Sequence, residues 1–247
     1  MGEIGSRCDG TDARAVPYGG TRSVLRPRGL VDLRAEHGAP LALGYPAGAV
    51  VVVSGLPGSG KSTLLRRWSQ AAPAVDPRDV HVACEAVMPA ALPYAVYRPW
   101  ARFEHFRRLR AEVRRGGPFL VHDCGSRAWL RRWLAREAGR QGRELHLVLL
   151  DVGAAEALAG QDARGRWAPR RVFARHRRGL DRLLHALAAG ARTGSGTVPV
   201  PALVAEAASV VLLDRVSRER VAAVEFGSCR HLPLPSREAP PSGARVA

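Results

Sequence analysis

Residues Val50 to Thr63 read VVVVSGLPGSGKST: four valines run into a glycine-rich loop that closes on Lys61, Ser62 and Thr63, with the helix-like LLRRW after it. Few stretches leave a chain so little choice of fold. Gly55, Gly60, Lys61 and Ser62 stand in the G-x-x-x-x-G-K-[ST] register, with a strand before and a helix after, the context a phosphate-binding loop requires. Gly55, Gly58 and Gly60 let the backbone turn tightly and bring successive N–H groups up to phosphate oxygens; Pro57 and Ser59 belong to the same loop. The helix that follows adds its positive N-terminal end.

Composition sharpens one position. Lysine and arginine together number 38, yet Lys61 is the only lysine in the chain. A compact ammonium fits between neighbouring phosphates where a planar guanidinium does not, so this position resists the replacement made everywhere else. A net charge of +16 would ordinarily point to a polyanionic partner such as nucleic acid. With one lysine, no asparagine and abundant Ala, Arg, Gly and Pro, however, the chain has the composition of a strongly GC-biased coding sequence, and the charge alone establishes no partner.

A chain of 247 residues is long enough for one α/β domain with a full core. Residues 1–45, rich in Gly, Arg and Pro, read as an irregular arm, 46–230 as the domain, and 231–247 as a disordered proline-rich tail. Five strands are expected, near 49–53, 74–75, 119–122, 145–152 and 209–213, alternating with helices. The run LHLVLLDV is the mark of a strand buried on both faces of a parallel sheet. Prolines between Met88 and Pro99 predict a loop carrying Tyr94, Tyr97 and Trp100, then a basic helix over about 101–115 with Phe103, Phe106, Leu109 and Val113 as its core stripe. The expected architecture is a doubly wound, mainly parallel five-stranded α/β sheet, with ligands at the carboxyl ends of its strands.

The four cysteines form no C-x-x-C pair and no metal-ligand spacing, which fits a reduced, cytoplasmic setting. No apolar run approaches a membrane span. Among phosphate-loop proteins, regulatory GTPases need a second lysine in an N/T-K-x-D motif, and the chain has none. Motor-type ATPases place a glutamate after the strand-end aspartate, whereas Asp123 precedes Cys124 and Gly125; no LSGGQ-like signature appears either. The small-kinase branch survives, in which positioning does most of the catalysis.

The segment GQDARGRWAPRRV, Gly160 to Val172, is similar to the lid of polynucleotide-kinase-like and zeta-toxin-like P-loop kinases, a basic R-x-x-x-R-G-x-x-x-x-P stretch that closes over ATP. Arg164, Gly165 and Pro169 match with a one-residue shortening, and Gly160 stands where the first lid arginine would. From about Val50 to Arg215 the chain resembles this AAA-33 type of ATP-binding kinase domain, with a basic lid over about 160–178. The resemblance implies ATP and Mg²⁺, with Ser62 holding the metal through its hydroxyl and Asp123 through water. Thr63 would touch the α-phosphate, and Arg164 or Arg166 would supply the closing charge.

A carboxylate base just after the second strand is implied as well, and both Asp76 and Asp79 qualify, although either could be an ordinary N-cap residue. His81 stands about where relatives carry a substrate-contacting arginine. His122 reads as a strand-end residue and Cys124 as a small buried filler. The expected activity is transfer of the ATP γ-phosphoryl group to a hydroxyl of a small-molecule, nucleotide or nucleic-acid acceptor, an anionic one in view of the basic surface. The alternative is a regulatory ATP-binding module that closes on nucleotide and engages a partner.

Overall fold

The computed structural model describes residues 23–38, 41–89, 92–124, 127–165, 168–191 and 200–227. Arg166, the expected tail at 231–247 and the first 22 residues of the expected arm lie outside the described residues. Strand β4 (Val50–Gly55) occupies the middle of a six-stranded sheet with β2 (Gly29–Asp32), β5 (Ala74–Val75), β6 (Phe119–His122), β7 (Leu145–Leu150) and β8 (Ser209–Leu213). Their order is β2-β8-β7-β4-β6-β5, and every pairing is parallel. All five expected strands are there. The sixth, β2, comes from the segment read as irregular.

Three more strands, β1 (Ser23–Leu25), β3 (Leu41–Pro46) and β9 (Val221–Gly227), build a second parallel sheet in the order β1-β3-β9. Residues 23–46 therefore contain three strands rather than an irregular arm, and the reason is what lies beneath them. Because side chains alternate along a strand, Val50 and Val52 of β4 enter one apolar cluster and Val51 and Val53 enter another. The first cluster is covered by α3 (Tyr94–Arg115), α4 (Ala128–Gly139) and α6 (Arg170–Ala191), through residues such as Leu109, Leu134 and Leu187. The second is covered by α1 (Lys61–Trp68) and by the second sheet, which contributes Leu41, Leu43, Tyr45, Val221 and Val224. A parallel sheet whose strands are apolar on both faces needs both covers.

Helix α2 (Pro77–Val87) follows β5 directly, with Asp76 as its N-cap and Pro77 in the first turn, where a missing N–H costs nothing. The proline-broken loop expected up to Pro99 is instead the opening of α3: Pro93 caps it and Pro99 sits inside. Tyr97 and Ala101 pack with Val80 and Cys84 of α2, and that burial holds the helix through a residue that cannot bond the carbonyl of Ala95. Of the expected core stripe, Leu109 and Val113 are buried, Phe106 packs on Trp133, and Phe103 is 59% exposed beside Trp100. The remaining helices are α5 (Ala154–Asp162) and α7 (Arg215–Arg220). Among the described residues no helix is long and apolar enough to cross a membrane.

Candidate active site

The carboxyl ends of β4, β5 and β6 deliver the polar residues of the site to one place. The loop leaving β4 makes a tight turn, with Ser59 N–H donating to the Leu56 carbonyl at 3.1 Å, and enters α1 through Gly60 in the left-handed region. Lys61 opens the helix and is only 3% exposed; its ammonium folds back to donate to the carbonyls of Gly55 (2.9 Å) and Leu56 (2.7 Å). Burial presses that ammonium below its usual range, while Cys124, Asp123 and Asp76 pull it back up. Ser62, next to Lys61 in the first turn of α1, lies close enough to Asp76 to help lower its carboxyl.

Asp123 follows β6, its backbone N–H bonded to Val53 O at 2.9 Å, and its Oδ2 accepts from Ser54 Oγ at 3.4 Å. Asp76, 5% exposed, accepts from the Arg78 N–H at 2.8 Å and meets His122 Nδ1 at 2.6 Å. Burial alone would raise its pKa, but His122, Ser62 and the Arg78 amide outweigh it and hold the carboxyl well below the usual carboxylate range. The Cys124 thiol, raised by burial, ends below its usual range because His122 and Lys61 outweigh that. Lys61, Ser62, Asp76 and Asp123 thus converge, and His122, read as a strand-end residue, joins them. Asp79 does not: it is exposed as the third residue of α2.

Helix α5 lies against the phosphate-type loop so closely that neither partner has room for a side chain. A Cβ on Gly58, whose φ is +96°, would lie 1.9 Å from the Ala157 carbonyl oxygen; one on Gly160 would lie 2.4 Å from the Gly58 carbonyl oxygen. That explains why Gly160 stands where an arginine was expected. Gln161 fastens the contact, its Nε2 donating to Pro57 O at 3.2 Å and its Oε1 accepting from Ala168 N–H at 2.6 Å. Arg164 lies across the same loop, with Nη2 donating to Gly58 O at 3.1 Å and Nε to Gly160 O at 2.8 Å.

Arg218, not anticipated from the sequence, donates to Ser59 O at 2.7 Å from the far side. It is aimed by a capping box in which Asp214 accepts from Ser217 N–H and Ser217 Oγ accepts from Asp214 N–H. Thr63, exposed, shares a cavity of about 480 Å³ with Arg67, Arg164, Arg215 and Arg218.

The donor set suits a hard, oxygen-preferring cation such as Mg²⁺: a hydroxyl on Ser62 and a carboxylate on Asp123, few enough to leave positions for water and phosphate. An anion suits the loop. Ser59 is 1% exposed and its hydroxyl has no partner among the described residues; a phosphate oxygen would satisfy it.

The family model of an AAA domain, AAA_33, matches residues 50–183. No curated protein matches the chain. Among solved structures, a gluconokinase from Sinorhizobium meliloti is 19% identical, covering 72% of this chain and 92% of that one with a TM-score of 0.37. The Mycobacterium tuberculosis APS kinase in complex with AMPPNP and APS is 16% identical, covering 71% and 95% with a TM-score of 0.39. The PezAT toxin-antitoxin system of Streptococcus pneumoniae is 12% identical with a TM-score of 0.40, covering 50% of this chain and 55% of that one, so the match spans about half the length of that protein.

Proposed function

The chain belongs to the AAA_33 family of AAA domains, and from that premise we propose that it is an ATP- and Mg²⁺-dependent phosphotransferase acting on a hydroxyl acceptor. The observation that carries this is the convergence of Lys61, Ser62, Asp76 and Asp123 at the carboxyl ends of three adjacent parallel strands, beside a glycine loop with an unsatisfied buried hydroxyl. In this reading the amides of the loop Gly55–Thr63 and the Lys61 ammonium bind the phosphate chain. The cavity shared by Thr63, Arg164 and Arg218 takes the α-phosphate and nucleoside. Ser62 and Asp123 would hold the metal, which when bound would supply positive charge against the phosphate chain.

The acceptor oxygen attacks the γ-phosphorus, the bond to the β-phosphate oxygen breaks, and the hydroxyl proton passes to a carboxylate. Asp76 is the base of choice over Asp79, because it is buried in the cluster and oriented by His122, whereas Asp79 faces solvent. The segment 160–178, with Arg164 already on the loop, is the closing piece that brings positive charge and keeps water out.

A second reading, a nucleotide-binding module without transfer, is favoured by one observation: Asp76 also caps α2, a structural task that by itself accounts for the residue. The two separate on γ-labelled ATP offered with a panel of hydroxyl acceptors. The phosphotransferase reading expects transfer of label, reduced about 10²–10⁴-fold in Asp76→Asn with nucleotide affinity kept, and unchanged in Asp79→Asn. Tight ATP binding with no labelled acceptor and no effect of either substitution on turnover would leave the module.

A further inference from the structure

On the helical face of the sheet, α3, α4 and α6 enclose a cavity of about 560 Å³ beside the turn at Ala202–Val204. Five of its lining side chains are arginines, Arg102, Arg127, Arg131, Arg175 and Arg182, and among the described residues no aspartate or glutamate lines it. Arg131 is committed, 3% exposed and paired with Glu206 at 3.1 Å. Arg182 spends its Nε on the Arg178 carbonyl at 3.3 Å and keeps its terminal nitrogens. The side chains of Arg102, Arg127 and Arg175 make no hydrogen bond or ion pair among the described residues. Elsewhere on the same helices arginines do find acids: Arg107 and Arg108 share Glu104, and Arg177 reaches Asp181. Gathering unpaired like charges around one concavity is unfavourable until a counter-charge enters.

His176, next to Arg175 on α6, is 8% exposed with a buried Nδ1 that has no partner among the described residues. Its imidazole is held below the usual range by burial and then by Arg175, Lys61 and Arg127, against the pull of Asp123, so the loop lysine, the metal-side carboxylate and the cavity arginines all act on one ring. On the other side a second cavity, about 470 Å³, shares Arg102 and Arg127 and is lined by His81, His105, Phe106 and Trp129. Both volumes fall within the roughly 300–1,000 Å³ typical of small-molecule pockets.

We propose that the acceptor is itself a small phosphate ester: its phosphate is held by Arg102, Arg127, Arg175 and Arg182, with its organic part directed toward the aromatic cavity. Guanidinium forks match phosphate oxygens two at a time, and a group of them on three helices fixes orientation as well as charge. The anion subsite rests on the phosphotransferase reading only for its role as acceptor site, not for its existence.

The test uses phenyl phosphate, a phosphate monoester on a planar ring, titrated calorimetrically into the full chain saturated with AMPPNP and, separately, into Lys61→Ala, so that the phosphate loop is filled in one case and disabled in the other. Binding is expected in both, weakened tenfold or more by Arg102→Ala and by Arg175→Ala, while AMPPNP affinity stays within twofold. Arg102 and Arg175 are exposed, and thermal melts of the two variants check that they remain folded.

Absence of binding, or binding indifferent to both arginines, overturns the proposal. So does an oligonucleotide with a 5′-phosphate that binds through Arg102 and Arg175 where phenyl phosphate does not. Arginine-dependent binding to Lys61→Ala, together with an unsubstituted chain that neither binds AMPPNP nor transfers label, would uphold the subsite and sink the phosphotransferase reading instead.

Discussion

Gly160 shows how much a missing side chain can decide. With its Cβ position 2.4 Å from the Gly58 carbonyl oxygen, α5 can touch the loop only because both residues are glycine. Gly160→Ala forces the helix outward at a cost of about 1–3 kcal/mol. It also loosens the Gln161–Pro57 and Arg164–Gly58 bonds, so urea melts and AMPPNP titration should both register it. His105 gives a pH signature. Its ring is 7% exposed, both nitrogens lack partners, and burial first, then Arg127 and His122, push its pKa down to about 4.

Unfolded histidine titrates near 6.5, so between those values the unfolded chain binds the extra proton. Stability is complete above about pH 6.5 and falls as pH drops toward about 4, by on the order of 3 kcal/mol from this group at the bottom of the window. His105→Gln should flatten that fall in denaturant titrations at pH 7.5 and 5. His146, also held at about 4 by burial, leaves a residual slope of the same sign.

Among the elements, α7 is short yet holds the loop from outside. Asp214 accepts from Ser217 N–H at 2.8 Å and from Ala35 N–H at 2.7 Å, tying together α7, the turn after β2 and, through Arg218, the carbonyl of Ser59. Asp214→Ala should cost about 1–2 kcal/mol in a thermal or chemical melt and weaken AMPPNP binding without touching the phosphate contacts themselves.

The same element marks a boundary of what could be read from sequence. Strands β4, β6, β7 and β8 announce themselves as apolar runs, and the loop by its fixed spacing. Strands β1 and β2 are only three and four residues long, and β2 pairs with β8 at Gly29↔Ser209, across nearly the whole chain. No local pattern encodes such a partner. Arg218 was invisible for the same reason, its target being a carbonyl 159 residues away. Pro99 misled because helix breaking is a local rule, and the packing of Tyr97 and Ala101 on α2 overrides it.

At the scale of the molecule the main sheet depends on the segment before the phosphate-type loop. Removing residues 1–40 strips β1 and β2, opens the edge of β8 and uncovers part of the cluster that Leu33, Leu25 and Val31 help to close. Such a shortened chain should aggregate on expression rather than give a smaller folded protein, as the soluble fraction and size-exclusion profile would tell.

The second sheet carries a consequence in time. Its central strand, β3, is made early, but its partner β9 follows every other described element. While the chain is being synthesised, the cover that α1 and β3 give one face of the valine-rich sheet stays incomplete until Val221 and Val224 emerge. Contacts this distant in sequence form slowly and leave apolar strands exposed meanwhile. The nascent chain therefore passes through a long interval in which its nucleotide loop exists and its fold does not, an interval in which a chaperone has a surface to hold.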